Sequence, residues 1–172
     1  MTTLHTPRLT LRPITPADLP EVVAYRNDPA VARFQAWPLP ATLETVQGLV
    51  SDRPLGAPGW VQRAVTLGGG PLLGDVALNT HGPQAELGVT LATAAQGQGY
   101  AAEALRALID HAFGPLGLHR LHASIDPRNA AVARLLTRLG FRHEGTAIQG
   151  YWHRGEWTDD ASYALLAAEW TP

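Results

Sequence analysis

The sequence predicts a mixed α/β (α+β) fold, a mostly antiparallel sheet of about seven strands flanked by about four helices. Three observations lead there. Strand-like runs at 60–67, 72–79 and 85–91 follow one another through short turns, which suggests an antiparallel meander. The pattern then changes to helix, strand and helix at 99–113, 118–125 and 127–139, both helices amphipathic. Two last strand-like runs, 141–148 and 161–167, close the chain. With 172 residues, 45% of them apolar and 16% charged, a single domain over 1–172 can bury its own core.

Each element has a local cause. Arg8-Leu-Thr-Leu-Arg12 alternates and reads as a short strand. Thr15-Pro16-Ala17-Asp18 opens a helix, with Thr15 as N-cap, Pro16 in the first turn and Asp18 favourable to the helix dipole. Its stripe includes Leu19, Val22 and Val23. A second helix over 43–50 lies between the prolines at 38, 40 and 54. Gly68-Gly-Gly-Pro71 and His81-Gly82-Pro83 punctuate the meander. Ala101, Leu105, Leu108, Ile109 and Ala112 share one face of the helix over 99–113, and Gly140 suits the C′ position after the helix over 127–139.

Composition excludes several chemistries. The chain has no cysteine, hence no disulfide, thiolate metal site or cysteine nucleophile. All 13 basic residues are arginine, which removes Schiff-base lysine chemistry and the P-loop lysine. A net charge of −2 gives no reason to expect nucleic acid or an anionic membrane as partner. No segment approaches the ~20 apolar residues of a membrane span, and Met1–Arg12 carries no apolar signal core, so a soluble cytoplasmic protein is expected. His119 and His122 form H-x-x-H, but a strand points them to opposite faces, and no metal is expected.

Gly97 and Gly99 stand between a strand end and a helix start. A helix start offers unpaired N–H donors and positive dipole potential, and glycines let a phosphate approach the backbone. Taken alone, Gly97 to Ala102 also spell G-x-G-x-x-A, near the dinucleotide fingerprint, with Asp126 at the end of the next strand. A meander precedes these glycines instead of a βαβ series, too few residues follow for a doubly wound sheet, and Ala92–Gln96 separates strand from glycines.

Gln96-Gly97-Gln98-Gly99-Tyr100-Ala101 resembles Q/R-x-x-G-x-G/A, the pyrophosphate signature of the GNAT superfamily of acyl-CoA-dependent acetyltransferases. Asn129 to Phe141 resembles the superfamily's N-x-x-S-x-x-x-x-x-x-x-G-F helix, and the two chain ends, "TPRLTLRPITPADL" and "WTDDASYALLAAEW", resemble the ribosomal-protein (Rim-type) branch. The resemblance implies a sheet splayed between the strands at 85–91 and 118–125, with the pantetheine arm of acetyl-CoA in the split. Backbone of Val89, Thr90 and Leu91 would pair with that arm, and backbone N–H groups from Gln96 to Ala101 would hold the pyrophosphate. Asn129 reaches the arm in the family pattern, although capping is its ordinary role at a helix start, and Arg134 is a candidate for a CoA phosphate.

Relatives often carry a proton-donating serine where this chain has Val132, so Tyr151 or a water takes that role. Glu86 falls where relatives carry a glutamate near the acceptor, and reads either as general base or as an exposed strand carboxylate. Phe34, Trp37 and Trp152 are aromatics available to wall an acceptor pocket. The implied reaction is acetyl transfer from acetyl-CoA to a primary amine by direct attack, the acceptor being a protein N-terminal α-amine or else a small amine such as an antibiotic, polyamine or amino acid. A CoA-binding module without turnover is the reading from outside the enzyme class. A homodimer is compatible with all of these.

Overall fold

In a computed structural model, residues 2–172 are described; Met1, the first residue of the expected domain, lies outside them. Strands β1 (Leu4–His5) and β2 (Leu9–Arg12) precede three helices, α1 (Leu19–Asn27), α2 (Pro29–Ala32) and α3 (Leu43–Val46). The meander is β3 (Gly59–Leu67), β4 (Leu72–His81) and β5 (Gln84–Leu91). Helix α4 (Tyr100–Phe113), β6 (Arg120–Ile125), α5 (Ala130–Arg138), β7 (Arg142–His153) and β8 (Glu156–Leu166) complete the chain. The strands form one eight-stranded sheet in the order β1-β2-β3-β4-β5-β6-β8-β7, antiparallel except between β5 and β6.

Alternation along the strands sends apolar side chains to one face, where Val61, Val76, Leu78, Ala85, Leu87, Leu121 and Leu165 are buried. Leu105, Leu108 and Ile109 of α4 and Leu135 and Leu136 of α5 close this main core. A second core lies on the opposite face at the Ala64 end of β3, where Leu19, Val22 and Tyr25 of α1 pack with Val31 and Val46. That face holds a buried polar pair, the Tyr25 hydroxyl donating to Asp75 Oδ2 at 2.5 Å.

The mixed, mostly antiparallel fold is as expected, and its details differ at several points. Among the described residues the sheet has eight strands, because the two-residue β1 pairs with β2, and α2 is one additional turn. The 43–50 segment is α-helical only to Val46 and continues as a 3-10 turn over Gln47–Leu49. The turn after Thr15 is likewise 3-10, and Asp18 reaches back to accept from the Thr15 N–H at 2.7 Å. The last two strands are longer than 141–148 and 161–167 and form a hairpin turning at Arg154-Gly155, where both φ angles are positive (46° and 90°). Gly140 does stop α5: its N–H bonds the Thr137 carbonyl and the Phe141 N–H bonds that of Leu136, the two bonds of a Schellman cap.

The pairing that matters most is the parallel one. Strands β5 and β6 are in register only at Gln84↔Arg120, Ala85↔Leu121 and Glu86↔His122. Beyond Glu86 the two strands part while each keeps its other neighbour, β4 or β8. The sheet is therefore split, and Glu86 stands at the apex of the split.

Candidate active site

A cavity of about 530 Å³ occupies this split. Val89, Thr90 and Leu91 of β5 form one wall, and Asn129, Val132 and Arg134 around the start of α5 form the opposite one. Gln96, Gly97, Gly99, Tyr100 and Ala101 line the end at α4, and Phe34 and Gln35 after α2 line the remaining side. Residues from four separated stretches of chain thus meet around one space.

At the α4 end, Gly97 and Gly99 adopt φ of 75° and 80°, a left-handed backbone that glycine takes without strain. A Cβ built on Gly97 meets nothing within 4 Å, so the backbone there is open to a visitor. A Cβ on Gly99 would lie 3.4 Å from Arg8 Nη2, an ordinary contact, so its left-handed conformation is the direct reason for glycine there. The first turn of α4 leaves N–H groups without intrahelical acceptors and carries the positive end of the dipole. Gln96 braces the loop by donating from Nε2 to the Leu91 carbonyl at 3.0 Å. Gln98 does not line the cavity; its side chain donates to the Ala94 carbonyl at 3.1 Å.

Arg8 was read from the sequence only as part of a strand. It lies against this cradle, donating to the Gln98 carbonyl at 3.0 Å and pairing with Glu103 at 2.6 Å, with its guanidinium 4.6 Å from the Tyr100 ring centroid. Nothing local marks it, because its partners are some 90 positions away. On the α5 side, Asn129 caps the helix, its Oδ1 accepting from the Val132 N–H at 3.4 Å, while it also lines the cavity. Val132 lines the same wall.

At the apex, Glu86 is half-buried on the sheet face opposite the main core, while its neighbour Leu87 is buried within that core. Burial pushes the Glu86 carboxyl above its ordinary range; Asn79 and His81 oppose the shift and Asp160 adds to it. Gly88, next on the same face, is covered by the Trp60 ring, 3.6 Å from where a Cβ would be, and neither Glu86 nor Gly88 lines the cavity itself. On the far side of the split the Ser124 hydroxyl donates to Asp160. Sequence reading missed Trp60, Ser124 and Asp160 because only strand register brings them near Glu86.

The remaining candidates are more scattered. Tyr151 is within β7, not after it, opposite Thr158, with its ring stacked on His153 at 6.0 Å; it does not line the cavity. Trp37 belongs to the helical layer, its indole N–H donating to the Arg26 carbonyl at 3.1 Å and its ring under the Arg26 guanidinium. Trp152 is exposed and packs edge-on against Trp157 across the hairpin. Of the three aromatics, the structure brings only Phe34 to the cavity. No helix among the described residues is long and apolar enough to cross a membrane.

The family profile described as acetyltransferase (GNAT) domain matches residues 8–142, and the chain belongs to that family of acetyl-CoA-dependent N-acetyltransferases. An uncharacterized N-acetyltransferase of Bacillus licheniformis, p20, is 28% identical over 176 residues, covering 99% of both chains. The [ribosomal protein uS5]-alanine N-acetyltransferase of Escherichia coli is 37% identical over 86 residues, 50% of this chain and 44% of that one. The crystal structure of a GNAT-family acetyltransferase from Bacillus anthracis superposes with a TM-score of 0.84 at 28% identity, covering 98% of this chain and 100% of that one. The cleft suits the family's co-substrate: an open backbone at Gly97 and a helix start for phosphate, and an unpaired β5 edge for a chain of amides.

Proposed function

We propose that the chain acetylates a primary amine, the N-terminal α-amine of a protein, with Glu86 as the base. The observation that carries this reading is the place of Glu86, a half-buried carboxylate at the last β5–β6 pair, where the split between the two strands begins. Acetyl-CoA supplies the activated acyl group. Val89 to Leu91 offer backbone to its arm, Gly97, Gly99, Tyr100 and Ala101 offer N–H groups to its pyrophosphate, the Gln96 N–H being held by the Thr93 carbonyl, and Asn129 and Arg134 flank them.

An α-amine has a pKa of about 7.7–8.0, against about 10.4 for a lysine side chain. A carboxylate whose pKa is raised by burial is a sufficient base for the former. The name of the Escherichia coli relative, which acts on an alanine of a ribosomal protein, supports an α-amine acceptor. The proton for the departing thiolate, which Val132 cannot supply, is assigned to Tyr151 or to a water; Tyr151 lies on β7 outside the cavity in this structure.

The test is release of CoA thiol with a panel of amines: short peptides with different first residues, an N-blocked peptide bearing lysine, a polyamine and an aminoglycoside. The expected result is turnover with free α-amines and little with the blocked peptide. Turnover confined to the polyamine or aminoglycoside would replace the protein acceptor by a small amine.

A further inference from the structure

The apex of the split carries side chains that the reaction so far leaves unused. In the strand row through Glu86, Asn79 lies beside it on β4 and His122 beside it on β6, all leaving the same face. His81, two residues beyond Asn79, touches His122: their Nε2 atoms are 3.4 Å apart and their rings meet edge-on, centroids 5.3 Å apart. His81 is exposed and His122 is partly covered. A nitrogen–nitrogen contact of this kind has one ring N–H donating to the bare nitrogen of the other, so at least one ring is neutral. His122 is suited to be that one, since burial first, then His81 and Arg120, hold its pKa below the ordinary histidine value.

We infer that His122 and His81 form a proton relay that empties Glu86 into water, a role that rests on Glu86 being the base. An acceptor brought to the apex of the split covers the exposed part of Glu86, while His81 stays exposed at the end of β4. The acceptor ammonium gives its proton to the Glu86 carboxylate and becomes a neutral amine. Glu86 passes that proton, directly or through water, to His122 Nδ1. His122 releases the proton on its Nε2 to His81 Nε2, and His81 gives it up to solvent or buffer. Only protons move, and each ring returns to its starting charge by exchange with water.

The surroundings keep this pair apart from the stronger charges. His122 is faced by Glu86 from β5 and His81 from β4. On its own strand Arg120 is held by Glu144 of β7, which also binds Arg142, and Ser124 occupies Asp160 of β8. The nearby carboxylates other than Glu86 thus already have donors, which leaves the imidazoles as the free proton carriers of the row.

The experiment compares kcat/KM for the amine between pH 6 and 9 for the wild type, Glu86→Gln, His122→Gln and His81→Gln, with and without added imidazole. Each histidine variant is expected to lose about tenfold near pH 6.5, less than the ~10²–10⁴-fold of a base itself, and to recover with imidazole. Acetyl-CoA affinity should not change. Independently of turnover, NMR titration of His122 should move to higher pH in His81→Gln, because a positive neighbour is removed. If both histidine variants follow the wild type at every pH while Glu86→Gln is impaired, the relay is wrong and the base stands. If Glu86→Gln is also unimpaired, or the wild type acetylates no amine, the base and the relay fall together.

Discussion

Replacing Glu86 by glutamine keeps the shape of the side chain at the apex and removes its ability to take a proton. Without a base, the enzyme depends on acceptor that arrives already neutral. An α-amine of pKa about 8 is about 3% neutral at pH 6.5 and about 90% neutral at pH 9, a ratio of about 30. The deficit of Glu86→Gln relative to wild type should therefore be about 30-fold larger at pH 6.5 than at pH 9, somewhat short of the ~10²–10⁴-fold that a base typically contributes. In the wild type the acid limb follows Glu86 itself, whose pKa burial raises above that of an ordinary glutamate, and activity falls as pH drops through it. In the variant the limb should move up to the pKa of the amine. Initial rates of CoA thiol release at subsaturating peptide give both limbs. Parallel profiles at all pH values would remove Glu86 from proton transfer, whatever the drop in absolute rate.

Gly99→Val forces a β-branched residue to a φ of 80° and against Arg8, so stability should fall by about 1–2 kcal/mol and acetyl-CoA affinity by at least about tenfold, read by thermal melts and calorimetry. Tyr151→Phe should lower kcat with unchanged acetyl-CoA affinity; unchanged kcat would hand the thiolate's proton to water. Asp18 accepts from both Arg12 nitrogens at 2.7 and 2.8 Å, and its carboxyl is lowered to about 2, first by that hydrogen bonding. A depressed pKa stabilises the fold above the unfolded value near pH 4 and loses this as pH falls toward 2. Allowing for water around the partly exposed Arg12, the loss is about 1 kcal/mol, and Asp18→Asn should show it already at pH 7 and lack the acid slope in urea melts.

The parts of the fold that are local in cause were legible in the sequence. The meander, α4 and α5 follow from period-two and period-3.6 patterns with glycine stops, as the cap at Gly140 illustrates. The hairpin of β7 and β8 was read short for two reasons. Its turn is Arg154-Gly155 with no asparagine or aspartate to announce it, and a bulge with Gln149 at φ 48° breaks the alternation before Tyr151. Strand β1 is two residues long and exists because β2 offers it an edge.

The same division holds at the site. Gly97, Gly99 and Asn129 stand out because a turn and a helix start require them locally. Arg8, Trp60, Asp160 and the His81–His122 pair carry no local mark; register and the ion pair to Glu103 assemble them. Trp37 reads as available to wall the pocket because it is an aromatic in a segment with no predicted helix or strand. Instead Arg26 supplies both a carbonyl for its indole N–H and a cation for its ring, and holds it in the helical layer.

The central claim is that the split between β5 and β6 holds acetyl-CoA, and thermal unfolding with and without this ligand tests it most directly. At a concentration a hundred times the dissociation constant, acetyl-CoA should stabilise the protein by about 2.7 kcal/mol. For a chain of this size that is a rise of about 5–10 °C in Tm. The rise should shrink in Gly99→Val, and NADH should produce none. A rise with NADH and none with acetyl-CoA would contradict the account and return the glycines at 97 and 99 to a dinucleotide.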